Sequence, residues 1–203
     1  HSSRALTVST GEWRVAERTA VPTSTLEGYM WDKETEVDRF RERVPLANLV
    51  SQCRLSAKDP RSLKPRDFIS RIKPSEGEFV IIPELKQSDP TQGSLYKWYD
   101  IEKQSREFTT SSVRAIAINC DPVLFGGSLE DITKARSATS KAAVEDIAHE
   151  GVVVPPLLAM DLVLYPFQLY KLRLAGAEDV NLVTGALDQK DMLYLTKIAS
   201  RLQ

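Results

Sequence analysis

Between Ser24 and Pro45 the apolar residues Leu26, Met30, Val37, Phe40 and Val44 return at helical intervals, interrupted only by Lys33. Ser24-x-x-Glu27 is a capping box and Pro45 closes the run, so the spacing predicts an amphipathic helix. Its charged side, Asp32, Glu36, Arg39, Arg41, Glu42 and Arg43, reads as a solvated face laced with weak ion pairs. The period then changes. FVIIPELK, Phe79–Lys86, is an apolar run of strand length fit for burial, and it ends in Glu84 and Lys86, which an extended backbone turns to one face. Gly93 and the segment Leu95–Phe108 read as a turn and a helix, with Leu95, Trp98, Ile101 and Phe108 on the apolar side. VRAIAINC, Val113–Cys120, alternates as a second strand does.

Ser128–His149 is a long helical region, or two helices broken near Ser137–Ser140, with Ala142, Val144, Ile147 and Ala148 on its apolar side. Val152–Leu164 supplies a third strand; Pro155 and Pro156 lack amide donors and so belong at its beginning. Tyr165–Ala175 is a helix started by Pro166 and ended by Gly176. Asp179–Leu187 is the fourth strand, and Gln189–Leu202 the fourth helix, with Met192, Leu195, Ile198 and Leu202 inward. Residues 1–22 show no period and read as an extended arm, with a short strand around Glu12–Val15.

Strands alternating with helices indicate a parallel α/β sheet. The divisions that follow are an arm over 1–22, cap helices over 23–76 and a βα region over 77–203. Opposite charges at the carboxyl end of a buried strand stand where a parallel barrel does its chemistry, which makes Glu84 and Lys86 the first candidate site residues. Composition narrows the rest. A chain of 203 residues, 42% hydrophobic, can bury one sizeable core, and a net charge of −1 gives no global field for nucleic acid or an anionic membrane. Val152–Leu164 is too short and too polar to span a bilayer, so a soluble protein is expected. Cys53 and Cys120 lack metal-type spacing, and His1 and His149 are far apart, so neither metal nor cofactor is expected; Cys120 reads as a buried thiol.

Five stretches carry a resemblance. PELKQSDPTQG, Pro83–Gly93, resembles the Glu-x-Lys first-strand signature, with its Ser-Pro turn, of indole-3-glycerol phosphate synthases. LEGYMWDKETEVDRFRERVPL, Leu26–Leu46, is similar to the amino-terminal extension helix of that family, particularly its cyanobacterial and plastid forms. PRDF, Pro65–Phe68, is similar to the family's Pro-x-Asp-Phe, and DPVLFGGSLEDI resembles its acidic loop, with Phe125, Gly127, Ser128, Glu130 and Asp131 at matching places. PPLLAMDLVLYPFQLYKLRLAGAEDVNLVTGAL, from Pro155, resembles the family's third and fourth units.

The resemblance implies a (β/α) barrel and a reaction that closes an indole ring on a carboxyphenylamino-deoxyribulose phosphate, with loss of carbon dioxide and water. Glu84 and Lys86 match catalytic positions of the family, whose general acid, a Lys on the third strand, is matched here by Met160. A thioether has no proton to give. Losing such an acid costs on the order of 4 kcal/mol or more of barrier. Asp89 stands at the Ser of the Ser-Pro turn, and Asn181 replaces an apolar residue of the fourth strand.

The family's chain carries eight strand–helix units and this one reaches four at Gln203. The expectation is therefore an α/β half of a TIM barrel with an amino-terminal extension helix. It would be catalytically inactive and serve as a structural or assembly subunit, with Glu84 and Lys86 as an internal ion pair. Its open, apolar concave face would be covered by a protein partner, a second copy or another chain. The alternative is an active synthase with the rest of its barrel outside this sequence and another Lys, such as Lys86, as acid; a third is a small-molecule sensor using the old pocket. The likeness to cyanobacterial and plastid forms implies a plastid location.

Overall fold

A computed structural model describes residues 21–62, 64–111, 113–145 and 153–202. The expected arm with its short strand, both histidines and the far end of the Ser128–His149 region lie outside the described residues. Helix α1, Thr25–Arg43, begins on Ser24, whose side chain accepts from the amide of Glu27; the Glu27 carboxylate in turn accepts from Thr23 rather than from the cap itself. Met30 and Val37 are buried, with Leu26, Phe40 and Val44 packed beside them, so the apolar side is as expected. Helix α2, Leu46–Lys58, follows Pro45 directly, and α3, Phe68–Ile72, is capped by the Asp67 carboxylate.

The βα region is shorter in its strands than the sequence suggests. Strand β1 is Glu84–Leu85, and the small antiparallel pair β2, Ser88–Asp89, and β3, Gly93–Ser94, follows it at once. Asp89 organises that turn, accepting from the amides of Thr91 and Gln92 and from the Thr91 hydroxyl, while Gly93 takes a positive φ. Helix α4 is Ile101–Thr110, not Leu95–Phe108. Its start is fixed by the Asp100 carboxylate on the Lys103 amide, and Trp98 projects into solvent. Strand β4, Ile116–Asn119, leads into helix α5, Leu129–Glu145, which runs unbroken through Ser137–Ser140. Ala135, Ala138, Thr139 and Ala142 are buried there, and the Thr139 hydroxyl bonds back to the Arg136 carbonyl, so the polar run does not interrupt the helix.

Strand β5, Leu157–Met160, begins immediately after Pro155 and Pro156, as their missing donors require. Helix α6, Pro166–Ala175, ends at Gly176 in the left-handed conformation. Strand β6 is only Asp179–Val180, because the chain turns at Val183–Ala186 before α7, Gln189–Ser200. The sheet order is β1-β4-β5-β6, all parallel.

In register, Leu85, Ile118, Ala159 and Val180 form one row. Leu85, Ile118 and Ala159 are buried in a cluster with Ile132, Leu169, Leu172 and Leu195 from the helices. Each leucine or isoleucine side chain of this cluster is worth roughly 1.5–3 kcal/mol when fully buried. The neighbouring row, Glu84, Ala117, Leu158 and Asp179, points the other way, with Asn119 and Met160 next along on the same side. That face is mixed, with carboxylates and an amide among its apolar groups, and not the apolar concave surface expected. Among the described residues the outer edges of β1 and β6 have no strand beside them. Phe79 and Ile81, expected in a buried strand, are 94% and 72% exposed: the chain joins the ladder only from Pro83, whose carbonyl accepts from the Ala117 amide.

Candidate functional site

The carboxyl ends of β1, β4 and β5 bring together Glu84, Lys86, Asn119, Asp121, Met160 and Asp161. Glu84 and Asn119 lie on one face of the sheet, and the Asn119 amide donates to the Glu84 carboxylate at 2.6 Å. Lys86 lies 3.9 Å from Glu84, so the expected pair is present at its outer limit, but its closer partner is Asp89 at 3.0 Å. Its ammonium also sits 5.5 Å from the centre of the Phe125 ring. The hydrogen bond to Asp89 raises the Lys86 pKa, with Glu84 adding to it. Asp89, which stands at the Ser of the family's Ser-Pro turn, is therefore the counter-ion of Lys86 and the pivot of the β2–β3 turn. Contacts with Thr91, then with Lys86, hold its own pKa below the ordinary carboxylate range.

Met160 pairs in register with Asn119 and ends β5. Its backbone carbonyl accepts from the Cys120 amide and, at 3.4 Å, from the Cys120 thiol. Cys120 is buried, as its sequence position suggested, and desolvation pushes its thiol well above its usual pKa.

The residue that sequence reasoning passed over is Lys33. Seen as a break in the apolar side of α1, it is 2% exposed and reaches the carboxyl ends of β4 and β5. Its ammonium lies 2.8 Å from Asp121, 2.8 Å from Asp161 and 2.7 Å from Glu36. Glu36, read as part of the solvated face, is thus half-turned into the site. Burial alone would depress the Lys33 pKa; Asp161 and Asp121 outweigh it and raise the group above its ordinary value.

Each carboxylate is held in turn. Asp121 accepts from the amides of Val123 and Leu124, and Asp161 from the amide of Leu162 and the side chain of Gln168. Buried Gln168 also bonds the backbone of Leu162, Leu164 and Tyr165, so the network joins α1, both strand ends and the start of α6. The loop after β4 closes over this cluster: Phe125 and Gly127 donate to the Asp121 carbonyl. A Cβ at Gly127 would drive into the Asn119 carbonyl, so only glycine fits.

On α1, Glu34 lies in an environment that opposes its charge, unlike that of Lys33. Its Oε1 is buried without a hydrogen-bond partner among the described residues, and burial, then Asp38, pushes its pKa from the ordinary 4.5 to about 8. The folded protein keeps that proton up to about pH 8, whereas the unfolded chain releases it near 4.5. Stability therefore falls as pH rises through this window. Urea unfolding at both ends of the window tests it: the midpoint of the parent protein should drop toward the alkaline end, and that of Glu34→Gln should drop less.

Among the described residues no helix is long and apolar enough to cross a membrane. The family model for indole-3-glycerol phosphate synthase matches residues 26–203. Three cyanobacterial proteins bearing that name are similar. That of Microcystis aeruginosa is 30% identical over 202 residues, all of this chain and 62% of the relative. Those of Rippkaea orientalis and Trichodesmium erythraeum are 28% and 27% identical, over 96% and 98% of this chain and 60% of each relative. The chain thus spans under two thirds of the length of these relatives. The family model covers nearly all of a chain that folds as parallel strands alternating with helices: this chain belongs to the indole-3-glycerol phosphate synthase family.

Proposed function

We propose that this chain is a family member that does not close the indole ring and instead serves as a structural or assembly subunit. The reading rests on Met160. It stands at the general-acid position that the resemblance implies, on the sheet face shared with Glu84 and Asn119, and it carries neither charge nor proton. The neighbouring ammonium groups do not replace it. Lys33 is clamped by Asp121, Asp161 and Glu36, Lys86 is held by Asp89, and both have raised pKa values. An ammonium whose proton is held more tightly than usual is a weak acid for a carbonyl oxygen. On this reading Glu84 and Lys86 are inherited catalytic positions now kept as internal partners of Asn119 and Asp89.

The four parallel strands are taken as one half of the family's eight-stranded barrel. The outer edge of β1, with no strand beside it among the described residues and with Phe79 and Ile81 exposed just before it, is the surface a protein partner would cover. A plastid location is part of this proposal and is supported by the cyanobacterial relatives. Native mass spectrometry of the full-length protein tests the assembly role. A particle heavier than one chain is expected, and a stable monomer would remove it.

Two observations favour a second reading. Glu84 and Lys86 are kept at the carboxyl end of a strand, and the relatives are longer than this chain. A working synthase whose remaining barrel lies outside this sequence, using Lys86 as acid, is the alternative, and the two differ in turnover.

A further inference from the structure

A second concave surface lies away from the strand ends, between α2, α3, α6 and the end of α7, and encloses about 920 Å³. Its floor is apolar, with Cys53, Phe68, Tyr170 and Leu174, and its walls are cationic, with Arg54, Lys64, Arg66, Arg173 and Arg201. Among the described residues, internal pairing removes one of those charges. Arg66 is held at 2.5 Å by Glu178, and the Asp67 carboxylate, the one acidic group of the lining, caps α3 through Ser70.

Among the described residues Arg54, Lys64 and Arg201 meet no carboxylate, and Arg173 spends its Nε on the Leu202 carbonyl. Burial lowers the Arg173 pKa, and the Cys53 thiol opposes that shift only in part. The sequence shows the same segregation: Arg54–Lys73 holds seven basic residues against two acidic ones in a chain whose net charge is −1.

Cations left unpaired over an apolar floor select a ligand with the opposite pattern. We infer that this groove docks an extended acidic segment of another protein, with carboxylates on Arg54, Arg173 and Arg201 and apolar side chains on Phe68 and Leu174. A nucleic acid would stack bases on exposed aromatic faces, and Tyr170 alone offers one here, half-buried in the floor. The inference stands on the groove itself and not on the loss of turnover at Met160.

The test is fluorescence anisotropy of the full-length protein with a fluorescein-labelled peptide of alternating Glu and Leu, beside a Lys and Leu peptide, a polyuridine oligonucleotide and inorganic pyrophosphate. Binding of the acidic peptide alone is expected, weakening with added salt. Reversing Arg54→Glu and Arg201→Glu together, both exposed and outside the packed core, should weaken it about tenfold or more. Arg173→Gln should act in the same direction, with circular dichroism confirming that each variant is folded. Failure of the acidic peptide to bind, binding unchanged in the charge-reversed protein, or tighter binding of the oligonucleotide or pyrophosphate at the same residues would each overturn the assignment.

Discussion

Replacing Lys33 by Met should destabilise the protein by about 3–5 kcal/mol near neutral pH, the cost typical of breaking a buried ion pair from one side. The side chain is fully enclosed, and its removal leaves Asp121 and Asp161 facing each other without the cation between them. Neither carboxylate can turn to water, because both are fixed by backbone amides and Asp161 also by Gln168. The damage should be local before it is global. Helix α1 keeps Met30 and Val37 in the core but loses its anchor on the strand ends, so Lys33→Met should expose Arg39, Arg41 and Arg43 to trypsin while α4–α7 stay protected.

Two features separate this from a packing effect. The variant should recover stability on acidification, as the stranded carboxylates take up protons, whereas a cavity would not. Glu36→Gln should cost far less, because Glu36 is partly solvated. In the parent protein the raised Lys33 pKa places the pH at which this contribution fades above the ordinary lysine value, so the clamp is complete throughout the neutral range.

The second large effect is expected at Glu178, at the opposite end of the sheet. Its side chain is wholly buried, accepts from the Leu157 amide at 2.6 Å, and is shared by Arg66 at 2.5 Å and by Arg136. Two guanidiniums on one carboxylate repel each other. Burial, joined for Arg136 by the charges of Arg66 and Arg173, brings each down to about 10. Glu178→Gln keeps the shape and the amide contact but removes the anion that Arg66 and Arg136 share, and should cost about 3–5 kcal/mol in urea unfolding. Replacing all three groups by apolar residues of similar volume should recover most of that loss, since a well-packed apolar cluster commonly equals a buried ionic one. If Glu178→Gln were neutral, the carboxylate would not be the joint that fastens the segment before α3 to the start of β6.

How far the sequence reaches differs by element. Helices with an internal period and a stop signal were legible: α1 from Ser24, α6 between Pro166 and Gly176, and α7 with Leu195 inward. The start of α4 was misread because Leu95 and Trp98 mimic an apolar side, whereas the Asp100 cap sets the boundary. Strand lengths were overestimated for a different reason. An apolar run such as Phe79–Ile82 becomes a ladder only where a neighbour supplies hydrogen-bond partners, and among the described residues β1 has one on a single side.

At the site, the spacing of Glu84 and Lys86 was enough to place them together, and the resemblance located Met160. The partners that set their electrostatics were not readable. Nothing local in Lys33 says that it meets Asp121 and Asp161; that contact exists only because β4 and β5 are adjacent and α1 crosses their ends. A lysine inside the apolar stripe of an otherwise well-formed amphipathic helix was nevertheless a signal, because a charge in that position must find a counter-charge in the core.

The most direct measurement is steady-state turnover of the carboxyphenylamino-deoxyribulose phosphate by the purified full-length protein, followed by fluorescence of the indole product. No rate above that of buffer is expected, with Lys86→Ala indistinguishable from the parent. A measurable rate that disappears in Lys86→Ala would contradict the account, because it would mean that an ammonium other than one at position 160 protonates the sugar carbonyl.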